Sequence, residues 1–316
     1  MEIGILLTSF FLSLIGLIVF QKLYIKNDVV DKINERSSHK VIATRSGGIA
    51  LFTSIFCISS FFYIQGIDIY NYSILIPLSI LLVVGFYDDL YDVDFKLKLV
   101  FQIIAAKILI DSGFIIDNLH GFLGIGELNR IIAQLFTIFI IVAIVNSINF
   151  IDGIDALAIS ITCLFIILFE FFALSETSFS YLSIIILPAF IPMFYFNLKS
   201  NKKIFLGDAG SHFLGGIISI YVLTILSNDY IIKTEYDLNK IIFVIALLSY
   251  PIIDIVRICY KRIKQGKSPF LPDKFHIHHL LLRRYSSHKI VTTIILSFML
   301  TLLVIIQLIF NGNKIF

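Results

Sequence analysis

Of the 316 residues, 58% are apolar and only 15% are charged, and the mean hydropathy is +0.94. That balance excludes a water-soluble globular domain. The net charge of +3 says little alone, because the distribution of charge matters more than its sum, and no nucleic-acid partner is expected.

Apolar runs of about 17 to 22 residues, each long enough for a hydrocarbon core of roughly 30 Å, recur along the chain. The first, from Ile3 to Phe20, has no basic residues ahead of it and reads as a retained span rather than a signal peptide. In chain order the expected spans are 3–22, 47–66, 72–87, 98–116, 130–148, 156–175, 180–197, 211–228, 240–260 and 290–310. There is no internal repeat, low-complexity tract or soluble domain. The expectation is an all-α polytopic membrane protein, a single domain over 1–316 with about ten transmembrane helices. Cys57, Cys163 and Cys259 stand singly in apolar runs, without metal-ligand spacing or an even count, and are expected as buried free thiols. Tryptophan is absent, so tyrosine must supply any aromatic belt.

The connecting loops alternate in charge. Lys26, Lys32, Arg36, Lys40 and Arg45 lie in 23–46, and Lys199, Lys202 and Lys203 in 197–210. The loop 261–289 carries Lys261, Arg262, Lys264, Lys267, Lys274, Arg283, Arg284 and Lys289. The loops 116–129, 176–179 and 229–239 carry almost no Lys or Arg. The positive-inside rule makes the rich set cytoplasmic and both termini periplasmic, which requires an even number of spans.

Four polar clusters interrupt the apolar runs on that cytoplasmic side. "DDLYD" and its flank put Asp88, Asp89, Asp92 and Asp94 into seven positions. If helical, the spacing of Asp88, Asp89 and Asp92 sets carboxylates on one face. Like charges there repel unless a cation sits among them, and Mg²⁺ takes one or two carboxylates plus substrate phosphates. A solvated acidic turn is the plain alternative. In "NSINFIDGIDALA", Asn146, Asn149, Asp152 and Asp155 recur every three residues, a drifting polar stripe that suits a cavity lining. Gly153 lets the backbone break, and helix capping would explain one or two of the four. "IFLGDAGSHFLGG" sets Asp208 between glycines that could let backbone N–H groups approach an anion at a helix start. "PDKFHIHHLLLRR" places His276, His278 and His279 beside Lys274, Arg283 and Arg284, a pattern nearer to phosphate binding than to a zinc site.

Two smaller features add to these. "RSSHKVIATRSGG", 36–48, either touches an anionic substrate or obeys the positive-inside rule. Asp254 and Arg257, three apart, read as an intrahelical ion pair. Carboxylates for Mg²⁺, a glycine loop and cationic groups for phosphate on one membrane face point to phosphoryl transfer with a lipid-borne participant.

At these residues the chain resembles the polyprenyl-phosphate N-acetylhexosamine-1-phosphate transferases, glycosyltransferase family 4. "DDLYD" with "KLKLVFQ" behind it, "NSINFIDGIDALA", "FLGDAGS" and "HIHHLLL" carry the resemblance in order over nearly the whole chain. It implies ten or eleven helices and a cytoplasmic active site in the bacterial inner membrane. The reaction it implies moves an N-acetylhexosamine 1-phosphate from a UDP-sugar to undecaprenyl phosphate with Mg²⁺, for which Mn²⁺ substitutes, releasing UMP. By motif, Asp208, Asp88 and Asp89 bind the metal, and Asp88 or Asp89 assists the attacking lipid phosphate, the resemblance admitting both direct attack and a covalent two-step route. Asp152 and Asp155, with Asn146 and Asn149, shape the nucleotide and metal pocket. Lys96, Phe205, His276, His278 and His279 bind substrate.

Membrane lipid is a further partner, and homodimerisation is left open. Ala156 stands where the family usually has glycine, and "VIATRSGG" lacks the family's prolines. The His-x-His-His pattern favours a small UDP-N-acetylhexosamine such as UDP-GlcNAc over the muramyl-pentapeptide nucleotide. A cation-coupled transporter and a prenyltransferase are the other classes. A transporter would show mid-membrane charges and a repeat, and a prenyltransferase would show two Asp-rich motifs.

Overall fold

The structure, a computed structural model, describes residues 1–30, 43–199, 201–236, 238–266 and 275–311. Lys32, Arg36, Lys40, Lys267 and Lys274 of the basic loops lie outside the described residues. The chain packs as two compact units interleaved in sequence: 1–112 with 178–217, and 113–177 with 218–316.

The first unit holds α1 (Glu2–Lys26), α2 (Gly47–Ile64), α3 (Leu75–Tyr91), α4 (Phe95–Asp111), α7 (Ser180–Leu198) and the start of α8 (Gly207–Leu226). Glu2 in the first turn of α1 and Lys26 in its last complement the helix dipole. Small polar residues bring α1 onto α7: the Ser13 hydroxyl donates to the Ala189 carbonyl at 2.7 Å, and Ser9 does the same to Ile185. A two-residue parallel pair, β1 (Ala43–Thr44) against β2 (Lys203–Ile204), ties the entry of α2 to the entry of α8. Beyond it, Gly47 N and Gly48 N donate to the Phe205 and Leu206 carbonyls at 3.0 and 2.9 Å. Gly48 then lies directly against Gly210, where a side chain on either would collide with backbone.

The second unit holds α5 (Arg130–Ile151), α6 (Leu157–Phe172), the rest of α8, α9 (Lys240–Leu247), α10 (Ser249–Lys264), α11 (Ile277–Tyr285) and α12 (His288–Asn311). Phe169 anchors its core, edge-on to Tyr221 at 4.6 Å and stacked on Tyr230 at 4.9 Å. The Asn239 amide caps α9 and also donates to the His120 carbonyl at 2.8 Å. This fixes the loop before α5.

All ten expected spans fall on helices, but not all qualify as spans. Among the described residues, seven helices are long and apolar enough to cross a membrane, or eight if the bent α9–α10 pair is one span. α4 falls short because Lys96, Lys98, Lys107 and Asp111 crowd its 17 residues, and α6 has only 16. The expected span 240–260 is broken at Leu248 by a 77° bend. The chain is a multi-pass membrane protein. Its cysteines are free, as expected, but not buried: Cys57 is exposed, and Cys163 and Cys259 are half-buried.

Candidate active site

The acidic motif ends α3, and only part of it stays helical. Asp92 leaves the helix in the left-handed region (φ 50°) as its C-cap, and Asp94 precedes α4 as its N-cap. The expected row of Asp88 and Asp92 on one face therefore does not form, because the second of the pair turns the chain. Asp88 stays inside, 5% exposed, and its carboxylate accepts from Val93 N at 2.8 Å and Lys98 Nζ at 2.6 Å. Its side chain is also hydrogen-bonded to that of Asp208. Two carboxyl groups so placed require a proton or a cation between them.

Asp89 has a different task. Its two oxygens accept from Asp208 N at 2.9 Å and Ala209 N at 3.0 Å, two of the N–H groups that the first turn of α8 leaves without helical partners. Arg45 Nη1 stands 3.4 Å from the same carboxylate. The anion expected at this helix start is thus Asp89 itself, supplied from α3. Behind Asp208, the buried His212 donates from Nδ1 to the Asp208 carbonyl at 2.8 Å. Its Nε2 is buried without a partner among the described residues. Phe205 is bound through its main chain, its N–H donating to the Thr44 carbonyl at 2.8 Å.

Lys96 is exposed on α4, and the lysine that meets Asp88 is Lys98, two residues on. Arg45, Lys98 and His212 are the residues that motif reading misses. Only the "KLK" spacing carried any signal, since both lysines follow the motif within one helical turn.

No group of three or more His, Cys, Asp or Glu side chains among the described residues could hold a metal by itself. The donors present are nonetheless hard oxygens: Asp88 and Asp208 face each other, and Asp89 is already committed to α8. That fits Mg²⁺, which is held by one or two carboxylates and completes its shell with water and phosphate.

In the second unit, α5 ends at Ile151, and 152–156 turn the chain into α6 with Ala156 in the left-handed region (φ 64°). This is the position where glycine is usual, and an L-residue there is strained. The buried Asn146 amide donates back to the Val142 carbonyl at 2.8 Å, while Asn149, Asp152 and Asp155 are half-buried at the turn. His288 at the start of α12 holds Asp155: its Nδ1 lies 3.0 Å from Asp155 N and 3.1 Å from Oδ2.

The histidine segment lies on the same turn. A side chain at Gly153 would fall 2.8 Å from His278 Nε2 and 2.9 Å from the His279 ring, so glycine is what admits the histidines. His278 is fully buried, with Nδ1 2.9 Å from the Tyr250 hydroxyl. Burial, with His279 and His276 close by, pushes its imidazole down to about 3. It is a neutral spacer in this geometry, while His279 is half-buried. His276 is 4% exposed and bonded through Nδ1 to Asp254 Oδ2 at 2.6 Å. The expected Asp254–Arg257 pair is present at 3.3 Å, as one contact among several.

An apolar cavity of about 300 Å³ opens beside the α9–α10 break, lined by Phe136, Ile140, Val244, Leu248, Pro251 and Ile252 among others.

Residues 71–226 match glycosyl transferase family 4. The undecaprenyl-phosphate alpha-N-acetylglucosaminyl 1-phosphate transferase of Salmonella typhi is 31% identical over 298 residues, covering 88% of this chain and 76% of that protein. The chain belongs to glycosyl transferase family 4. The similarly named protein of Haemophilus influenzae is 32% identical over 289 residues, 87% of this chain and 79% of its own length. That of Escherichia coli is 28% identical over 295 residues, 88% and 76%. Within this glycosyl transferase, the family match contains the acidic, asparagine-aspartate and "FLGDAGS" motifs, while the histidine segment lies beyond it.

Proposed function

We propose that the chain transfers N-acetylglucosamine 1-phosphate, or a closely related N-acetylhexosamine 1-phosphate, from its UDP-sugar to undecaprenyl phosphate. UMP is released, and a cell-envelope polysaccharide is started. Identity near 30% over 88% of the chain to transferases so named carries this reading. The polar clusters supply the chemistry. An oxygen of the lipid phosphate attacks the sugar-bearing phosphorus and the bond to UMP breaks, so one phosphoanhydride replaces another and the reaction stays near equilibrium. Catalysis of such a transfer is mainly positioning and charge stabilisation.

Asp88 and Asp208 are the residues that would hold Mg²⁺, which when bound offsets phosphate charge. Lys98 fixes the Asp88 carboxylate, and Asp89 fixes the backbone that carries Asp208. Of the histidines, His279 and His276 suit a phosphoryl oxygen, whereas the neutral, enclosed His278 does not. The cavity beside Leu248 has the chemistry to take part of an isoprenoid chain. The alternation of basic loops supports a cytoplasmic site in the bacterial inner membrane with periplasmic termini.

The test is UMP release by the purified protein from undecaprenyl phosphate and a panel of UDP-sugars, with and without EDTA. Lipid- and metal-dependent UMP from one N-acetylhexosamine donor is expected. Folded protein that releases no UMP from any donor would overturn the reading.

A further inference from the structure

The histidine segment needs something to hold it, and its own sequence does not provide this. α11 begins at Ile277 with His276 as N-cap, yet the His276 side chain makes no capping bond. The first free N–H of the helix, Ile277 N, donates instead to Asp254 Oδ1 at 2.8 Å, from a residue 23 positions upstream on α10. The other oxygen, Oδ2, takes His276 Nδ1 at 2.6 Å. Arg257, one turn along α10, donates from Nη2 both to Asp254 Oδ1 at 3.3 Å and to the Phe275 carbonyl. Main chain on both sides of His276 is thereby clasped to one helix. Asp254 is 1% exposed, so a carboxylate that costly to bury has a use beyond an ion pair with Arg257.

We propose that Asp254 is the positioning residue of the histidine segment, holding the start of α11 with one oxygen and fixing His276 Nδ1 as a donor with the other, so that His276 Nε2 meets a phosphoryl oxygen of the substrate. This rests on the phosphosugar transferase reading above. The division of labour between the two oxygens explains why aspartate is required. A carboxylate accepts at both atoms, whereas asparagine accepts at one and donates at the other. With Asp254, Nδ1 carries the hydrogen and Nε2 is the remaining polar atom of the ring. When a phosphate binds, a proton from solvent or from the phosphate itself makes the ring an imidazolium between two anions, a charge-assisted arrangement. Among the described residues, the groups facing His276 are Asp254 and Arg257 of α10, Phe150 of α5 at 5.7 Å between ring centres, and His278 and His279 of its own helix. None of these is a second acceptor for Nδ1.

Asp254→Asn keeps the Ile277 cap through its single carbonyl but turns its amide toward Nδ1. The neutral ring must then carry its hydrogen on Nε2, and the imidazolium loses its counter-charge. Two measurements test this. The first uses ¹⁵N-histidine spectra of the folded protein, with His276→Gln to assign the resonance. Wild-type is expected to carry hydrogen on Nδ1 and Asp254→Asn on Nε2, and wild-type with hydrogen on Nε2 alone would overturn the proposal. The second measures UMP release by both proteins. Asp254→Asn, with an unchanged melting temperature, is expected to lose roughly ten- to a hundredfold in turnover, as partners that orient a functional histidine usually do.

A rise in KM for the UDP-sugar alone assigns the phosphoryl oxygen to the nucleotide. A rise for undecaprenyl phosphate alone assigns it to the lipid. Asp254→Asn with wild-type kcat and both KM values would overturn the proposal, even if the spectra changed as expected. Wild-type that releases no UMP defeats the transferase reading instead, and the spectra then still decide whether Asp254 sets the tautomer.

Discussion

In the first unit an acidic side chain organises backbone: Asp89 caps α8 from α3, and Asp208 is placed by the helix so capped. In the second unit the same device appears with a histidine attached, since Asp254 caps α11 from α10 and also holds His276. Both units therefore use a remote carboxylate at a helix start, but for different ends. The first leaves two more carboxylates, Asp88 and Asp208, facing each other, a site for positive charge. The second leaves ring nitrogens, a site for negative charge. The comparison teaches that an aspartate can cap a remote helix whether or not it belongs to a motif, and that what its second oxygen holds, backbone for Asp89 and a histidine ring for Asp254, sets the two apart.

Substitutions can sharpen or break this contrast. The largest effect is expected for Asp208→Asn, which removes one of the facing carboxylates without touching the Asp89 cap. Turnover should fall by about 10²–10³-fold or more while the protein remains folded, as judged by UMP release and thermal melting. Wild-type turnover in this variant would sink the assignment of the first unit's charge.

Next is Gly153→Ala. Its new methyl pushes His278 and His279 off the 152–156 turn, and displacements near 1 Å typically cost about 10²-fold in rate. The measurement is kcat with a check of the melting temperature, and unaffected turnover would show that the turn need not touch the histidines.

A smaller effect concerns pH. His278 is held near 3 in the folded protein and returns to its ordinary value near 6.5 on unfolding. The unfolded chain then binds a proton that the folded chain refuses, so this group costs stability as pH falls from about 6.5 toward 3. The slope is at most about 1.4 kcal/mol per pH unit. Melting curves in detergent should show this loss for wild-type and less of it for His278→Phe.

The smallest change is expected for Ala156→Gly, which relieves a left-handed alanine and should raise stability by about 1 kcal/mol, read as a higher melting temperature.

Much of this was legible in the sequence. Each apolar run read as a span falls on helix, although among the described residues only seven or eight helices are long and apolar enough to cross. The motifs named Asp88, Asp89 and Asp208, which the structure brings together. What local pattern could not show is which residues the turns select. Lys96 and Lys98 are equally plausible from spacing, and only the left-handed Asp92 decides which of them faces back. The break at Leu248 was hidden because apolar sequence runs through it, and the bend shows only in the backbone. Arg45 and His212 lie inside quoted stretches without being singled out there, His288 lies outside them, and each becomes relevant through a partner 4 to 133 positions away. Asp254 was visible, but as half of an ion pair, since a helix written i,i+3 discloses the near partner and hides the far one.

The reach of Asp89 also sets a schedule. Its partners at the start of α8 lie 119 and 120 residues later in the chain. At ordinary synthesis rates that separation corresponds to roughly 6 to 24 s. For that interval α3 must wait at the bilayer with its carboxylate answered only by water or by Arg45. The acidic site is thus completed late in biogenesis, and a chain stalled before α8 would carry the motif without the site.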